Sequence, residues 1–207
     1  MEEGKRIRNI VFDIGGVLAR FEPERLMAAH AFSEEAKEVF RREIFARVWL
    51  DCDRIPYSDT EIRALFKANV PGFEAEVDRM WDDITPVTRP MPYAKAWLQS
   101  LKDRGYRLFI LSNYGRCSYA ANSPRYDFLP LTDGQLISYE VQELKPEPAI
   151  YRSLCERFGI LPEESVFIDD VPANVEAAEK LGFSGIVFTD HAAASAQLEA
   201  ILGNGIK

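Results

Sequence analysis

The sequence predicts an α/β fold: a parallel sheet covered by helices on both faces, with a helical segment inserted after the first strand. Short β-branched or aromatic runs alternate with amphipathic segments along most of the 207 residues, which is typical of a parallel sheet. Nearly continuous apolar runs such as "RLFILSN" fit strands that are buried on both faces. Between Phe21 and Arg89 the alternation stops, and only helix-forming stretches occur.

In chain order, five segments have the composition of buried strands: Ile7–Asp13, Arg107–Asn113, Leu136–Val141, Val166–Asp169 and Gly185–Thr189. Amphipathic segments between them predict helices over Tyr93–Arg104, Pro148–Phe158 and Ala173–Leu181. A glycine directly follows each of these helices. Glycine at that position adopts the left-handed conformation that ends a helix.

The inserted segment contains four helix-forming stretches punctuated by prolines: Pro23–Ala31, Glu34–Val48, Ser58–Lys67 and Phe73–Asp83. We therefore divide the chain into a core, residues 1–19 and 90–207, and an inserted helical cap, residues 20–89. An insertion beside the carboxyl end of a strand would cover a site at that edge of the sheet. The alternative is a helical subdomain with a purely structural role.

Composition excludes several classes of protein. A hydrophobic content of 47% and a charged content of 28% are those of a soluble protein, and no apolar run approaches the roughly 20 residues that span a bilayer. We expect a cytoplasmic location, because the first residues do not resemble a signal peptide. We also expect a monomer or homodimer. The net charge of −8 disfavours nucleic acid as a partner. Three scattered cysteines predict neither a disulfide framework nor a zinc site.

Polar residues occur at or just beyond the carboxyl ends of four predicted strands, where open α/β sheets bind ligands. They are Asp13, Ser112, Asn113, Lys145, Asp169 and Asp170. Taken singly, each has a structural explanation, such as capping a turn or a helix. Taken together, three carboxylates in one crevice would repel each other strongly.

A divalent cation resolves this repulsion, and carboxylate oxygens with few other ligands suit Mg²⁺. The lysine, hydroxyl and amide donors suit an oxygen-rich anion such as a phosphoryl group. Phosphoryl transfer requires mainly positioning and charge neutralisation. A carboxylate that faces the phosphoryl group can act as its nucleophile and form an acyl phosphate.

The chain resembles the haloacid dehalogenase superfamily of phosphohydrolases. The matching segments are "VFDIGGVL", "ILSN", "LKPEPAIY" and "VFIDDVPANVEAA". The resemblance extends from about Asn9 to Thr189 and implies a Rossmann-like core with an inserted cap. Within the superfamily, the chain is similar to sugar-1-phosphate phosphatases and to the phosphatase domain attached to epoxide hydrolases.

The resemblance implies a role for each matching residue. Asp13 would be the nucleophile, Ser112 and the backbone amide of Asn113 would bind the phosphoryl group, and Lys145 would neutralise charge between them. The metal ligands would be Asp13, the carbonyl of Gly15, Asp169 and Asp170. Asn174 would have a hydrogen-bonding role or lie on the surface of a helix.

Gly15 departs from the superfamily pattern, because its phosphatases usually carry there a second Asp that protonates the leaving oxygen and later activates water. Such acid–base help contributes about 10²–10⁴-fold in rate. We expect Mg²⁺-dependent hydrolysis of a small phosphometabolite, such as a sugar phosphate, through a phospho-Asp13 intermediate. The acid would then come from the cap or from water, or the substrate would have a good leaving group.

Two other outcomes stay open. One is a catalytically weak protein that binds a phosphometabolite or a protein partner. The other is a 2-haloacid dehalogenase, which the acidic pair Asp169–Asp170 disfavours because that chemistry needs no metal.

Overall fold

The computed structural model describes residues 6–203. Its strands are, in chain order, β1 (Asn9–Phe12), β2 (Ala19–Phe21), β3 (Thr88–Pro90), β4 (Arg107–Ser112), β5 (Gly134–Ile137), β6 (Ser165–Asp169) and β7 (Ser184–Val187). Five of them form a parallel sheet in the order β5-β4-β1-β6-β7. The register places Phe12 beside Ile110 and Ile168. The residues that follow these three therefore meet at one edge of the sheet, and the predicted α/β class is confirmed.

Helices connect the strands. They are α1 (Pro23–Ala29), α2 (Glu34–Val39), α3 (Trp49–Cys52), α4 (Asp59–Asn69), α5 (Glu74–Asp82), α6 (Ala94–Asp103), α7 (Arg116–Asn122), α8 (Ser138–Val141), α9 (Pro148–Phe158), α10 (Pro172–Glu179) and α11 (His191–Gly203). A π-helical stretch, Phe40–Val48, connects α2 to α3, and short 3₁₀ turns occur at Thr85–Val87, Ser123–Arg125, Leu129–Leu131 and Pro162–Glu164. No helix within residues 6–203 has the length and apolar character needed to cross a membrane.

Both faces of the sheet are packed, because successive side chains of a strand point to opposite sides. Phe12 joins Trp97 of α6 and Leu198 of α11 in one buried cluster. Val11 belongs to a second cluster, which contains Leu154 of α9. The sheet is therefore the middle layer between two layers of helices, as the continuous apolar runs predict.

The inserted helices form a third hydrophobic cluster, whose buried members include Leu26, Phe40, Phe66 and Met80. Strands β2 and β3 pair in antiparallel fashion where the chain enters and leaves this insertion. A separate hydrophobic cluster and a two-stranded connection support the division into a core (residues 1–19 and 90–207) and a cap (residues 20–89), which stays a prediction.

Several details differ from the sequence-based expectations. The third sheet strand is not Leu136–Val141: it spans Gly134–Ile137, and Ser138–Val141 is a helical turn. The Phe158 ring occupies the space beside Gly134, where an added Cβ would lie 2.3 Å from it, so a residue typical of turns is required inside this strand. The sequence analysis also did not predict the ribbon of β2 and β3 or the helices α7 and α11. The glycines after α6, α9 and α10 have positive φ, as predicted.

Candidate active site

The polar residues predicted to meet at the carboxyl edge of the sheet do so. Asp13 follows β1, Ser112 ends β4, and Asp169 ends β6. Lys145 reaches them from the loop between α8 and α9. All four are buried, so the centre of this edge is a polar cluster inside an otherwise apolar core.

The Lys145 ammonium joins the cluster. Its Nζ lies 2.6 Å from Asp169 Oδ2 and 3.0 Å from Asp13 Oδ1, and it donates to the Leu111 carbonyl over 3.0 Å. The Asn113 side chain fixes the loop, since it accepts from the Lys145 backbone N–H over 2.9 Å and donates to the Lys145 carbonyl over 3.0 Å. Sequence reasoning assigned Asn113 only a backbone role and missed this one.

Asp13 is a buried carboxylate, and burial raises its pKa to about 6. The Lys145 ammonium opposes this shift, the Asp169 charge adds to it, and the Ser112 hydroxyl opposes it. Asp13 Oδ1 also accepts a hydrogen bond from the backbone N–H of Ile14 over 2.7 Å. These contacts keep the group ionisable near neutral pH in spite of its burial.

Asp169 and Asp170 differ in environment. Asp169 is completely buried and accepts hydrogen bonds from Lys145, from the Val171 N–H over 2.8 Å and from the Asn174 amide over 3.0 Å. Asp170 is exposed at the rim, and partial burial together with the Asp169 charge raises its pKa. Asp169 is thus held in place by its neighbours, whereas Asp170 remains available to a ligand.

Asp13, Asp169 and Asp170 form an acidic triad, in which each offers an oxygen within 4.8 Å of the others. Among residues 6–203, Lys145 is the one cation that pairs with this triad, through Asp13 and Asp169, so negative charge is in excess. A hard divalent cation with oxygen ligands, such as Mg²⁺, fits this donor set.

The two glycines after Asp13 have different reasons to be there. Gly16 has a φ of +69°, and a Cβ on it would lie 2.0 Å from Asp170 Oδ2, so a side chain would displace that carboxylate. Gly15 has no such constraint, since the nearest atom to a Cβ there is Asp13 Oδ2 at 3.8 Å. Gly15 therefore faces open space.

That space is part of a cavity of about 190 Å³ between the sheet edge and the inserted helices. Its lining is largely apolar and aromatic and consists of Ile14, Gly15, Ala19, Arg20, Phe21, Trp49, Leu50, Asp53, Thr88, Asn113, Tyr114 and Tyr126. Both Gly15 and Asn113 face it, so the cavity adjoins the polar cluster.

Asp53 is a site residue that sequence reasoning missed. Burial raises its pKa to about 7, the Asp13 charge adds to this shift, and the Lys145 ammonium and the Gly115 N–H oppose it. The absence of an acid at position 15 was the one signal in the sequence that could have directed attention to the acidic residues of the insertion.

The sequence matches the family described as haloacid dehalogenase-like hydrolase over residues 7–182. It is 22% identical to the sesquiterpene phosphatase astK of Aspergillus oryzae over 193 residues, covering 93% of this chain and 95% of that protein. It is 23% identical to the D-ribitol-5-phosphate phosphatase of Bacteroides thetaiotaomicron, covering 86% and 89%. The rat bifunctional epoxide hydrolase 2 is 30% identical over 125 residues, which are 56% of this chain, and the chain spans about a fifth (21%) of its length.

Solved structures have the same architecture. A predicted HAD-like hydrolase from Porphyromonas gingivalis superposes with a TM-score of 0.73 at 27% identity, covering 93% of this chain and 98% of the other. A HAD-family enzyme from Bacteroides thetaiotaomicron, in complex with magnesium and inorganic phosphate, has a TM-score of 0.66 at 24% identity, covering 87% and 93%. With the motif order, the sheet topology and the family match in agreement, the chain belongs to the haloacid dehalogenase-like hydrolases.

Proposed function

We propose that this hydrolase is a Mg²⁺-dependent phosphomonoesterase that acts on a small phosphorylated metabolite through a phospho-Asp13 intermediate. The observation that carries this proposal is the contact of Lys145 with both Asp13 and Asp169 beside Asp170. An ammonium next to a buried nucleophilic carboxylate suits the transfer of an anionic group.

In this proposal the residues of the polar cluster divide four tasks: nucleophilic attack, phosphate binding, charge neutralisation and metal binding. Asp13 attacks phosphorus, and Ser112 and the Asn113 backbone amide hold the phosphoryl oxygens. Lys145 neutralises charge between Asp13 and the phosphoryl group. Asp13, the Gly15 carbonyl, Asp169 and Asp170 would hold Mg²⁺, which when bound supplies positive charge to the phosphoryl oxygens.

Two classes of leaving group are candidates. The relative that acts on D-ribitol 5-phosphate supports a sugar or polyol phosphate. The relative described as a sesquiterpene phosphatase supports an apolar leaving group, and so does the aromatic lining of the cavity. The expectations of a cytoplasmic location, of a monomer or homodimer and of neither nucleic-acid nor membrane partners stay predictions.

A substrate panel tests the proposal. The purified protein is assayed with Mg²⁺ against sugar phosphates, an aryl phosphate, an isoprenoid monophosphate, nucleotides and a 2-haloacid. We expect phosphate release that stops with a chelator, returns with Mg²⁺ and is abolished by Asp13→Asn. The matched control is Asp127→Asn, which removes an exposed carboxylate paired with Lys95 and is expected to retain the wild-type rate.

Two results would contradict the proposal. Halide release that survives chelation would favour dehalogenation. Binding of Mg²⁺ without turnover of any phosphate would favour the catalytically weak binding protein.

A further inference from the structure

The polar cluster contains no residue assigned to protonate the leaving oxygen of the substrate. When Asp13 displaces an alkoxide from phosphorus, the leaving oxygen needs a proton unless it is a weak base. Gly15 offers no side chain for this transfer. Among the described residues that line the cavity, Asp53 alone carries a carboxyl group.

We propose that Asp53, carried by the inserted helical segment, is the proton donor and acceptor of this site. The inference rests on the proposed phosphomonoesterase function and deepens it, because it places acid–base chemistry on the insertion and the nucleophile on the sheet. Contact of the insertion with the sheet edge then completes the catalytic set.

Contacts with the core hold Asp53 in place. Its backbone carbonyl accepts a hydrogen bond of 2.5 Å from Ser138 Oγ, and the same hydroxyl accepts from the Tyr114 N–H over 3.0 Å. The residue before Asp53, Cys52, packs against Gly115, where an added Cβ would lie 3.1 Å from the Cys52 carbonyl oxygen. Tyr114 and Gly115 directly follow Ser112 and Asn113, the proposed phosphate-binding residues, so the backbone around Asp53 is fixed against the same loop.

Arg54, the residue after Asp53, makes two further contacts with the core. Arg54 donates to the Gln142 carbonyl over 3.0 Å and pairs with Glu147. Gln142 lies three residues before Lys145 in the chain and Glu147 lies two residues after it. The stretch of the insertion that carries Asp53 is thereby aligned with the loop that carries the ammonium.

The electrostatic environment supports the role. Burial and the Asp13 charge raise the Asp53 pKa to about 7, against the opposing charge of Lys145. Arg20 and the phenols of Tyr114 and Tyr126 line the same cavity. A carboxyl group with this pKa is substantially protonated near neutral pH, which a proton donor requires.

The proposed steps balance. An Asp13 oxygen forms a bond to phosphorus while the bond to the leaving oxygen breaks, and the Asp53 proton moves to that oxygen, so that an alcohol departs. The Asp53 carboxylate then takes a proton from the water that attacks phosphorus, and the bond to Asp13 breaks. Phosphate leaves, and Asp53 is protonated again.

The test compares Asp53→Asn with the wild type in kcat/KM, which reports the steps up to formation of the phosphoenzyme. The substrates are 4-nitrophenyl phosphate, whose leaving group needs no proton, and an alkyl phosphate, whose leaving group does. We expect a loss of about 10²-fold or more for the alkyl phosphate and less than about threefold for the nitrophenyl ester. Asp51→Asn, which changes an exposed neighbour, is expected to retain both rates.

A pH profile gives a second readout. In the wild type, kcat/KM for the alkyl phosphate is expected to fall as pH rises through about 7, and Asp53→Asn is expected to lack this fall. Because there is room for a side chain beside Gly15, Gly15→Asp in the Asp53→Asn background is expected to restore part of the alkyl phosphatase rate.

The outcomes separate the two proposals. Equal losses for both esters, or no loss for either, would refute the role of Asp53 while the phosphomonoesterase function stands. A wild-type protein that hydrolyses neither ester in the presence of Mg²⁺ would overturn both.

Discussion

The Lys145 ammonium lies 2.6 Å from an Asp169 oxygen, and both side chains are almost fully shielded from solvent, with exposures of 1% and 0%. A buried pair of this kind gives little net stability compared with apolar residues, yet removal of one partner leaves an uncompensated charge. Here the ammonium also faces Asp13. The site therefore depends on Lys145 for the folding of its acidic residues as well as for its proposed chemistry.

Replacement of Lys145 by Met is expected to lower the free energy of unfolding by about 3–5 kcal/mol, as measured by denaturant titration in the presence of a chelator. The control is Lys102→Met, because Lys102 pairs with Asp133 at 2.6 Å on the surface and such pairs contribute about 0–1 kcal/mol. Equal losses in the two variants would contradict the interpretation of Lys145 as the counter-charge of a buried site.

Addition of Mg²⁺ is expected to raise the midpoint of thermal unfolding, because a cation bound only by the folded protein stabilises it, by about 2.7 kcal/mol at 100 times its Kd. Asp170→Asn is expected to weaken this effect, since it removes the exposed ligand of the triad. Asp127→Asn should leave the effect unchanged. A shift of the same size in Asp170→Asn would remove Asp170 from the proposed metal site.

Gly16→Ala is expected to destabilise the protein by at least about 1–2 kcal/mol because of its positive φ and to weaken the binding of Mg²⁺, since its Cβ would displace Asp170. Gly15→Ala is the matched control, with the nearest atom at 3.8 Å, and should retain metal binding. Calorimetric titration with Mg²⁺ measures both. Wild-type affinity in Gly16→Ala would show that Asp170 can move without consequence.

The raised pKa that suits Asp53 to proton donation also makes the free energy of unfolding depend on pH. The pKa of Asp53 is raised from 3.8 to about 7, so the folded protein holds the proton more tightly than the unfolded chain. Relative to Asp53→Asn, the wild type should lose stability as pH rises from about 4 to about 7 and lose no more above that. Denaturation in a chelator at pH 4.5, 6 and 8 measures this difference, and a difference that is independent of pH would contradict it.

The sheet could be predicted from the sequence because each buried strand carries its own signal. Segments such as Arg107–Ser112 are apolar almost throughout, and parallel strands bring their carboxyl ends together whatever the connecting loops do. The sequence therefore predicts that Asp13, Ser112, Lys145 and Asp169 form one cluster. Short elements were less predictable. The strands β2 and β3 have three residues each and depend on tertiary pairing.

Asp53 could not be predicted for a different reason. Nothing in the segment around it distinguishes it from Asp51, two positions earlier in the chain, although Asp51 is exposed and Asp53 faces the cavity. The difference arises from how the π-helical stretch and α3 direct the chain onto Ser138 and Gly115, which are distant in sequence. Contacts of this kind are set by packing rather than by local pattern.

The position of β1 at the middle of the sheet has a consequence for synthesis of the protein. Strand β1, which directly precedes Asp13, is made before both of its neighbours, β4 and β6, which lie about a hundred or more residues later in the chain. A nascent chain must keep this apolar strand without its two partners until β4 and then β6 have been made, and such long-range pairing is slow. The carboxylate proposed to attack phosphorus therefore cannot meet Lys145 and Asp169 until synthesis has passed β6, so shorter nascent chains lack the assembled site.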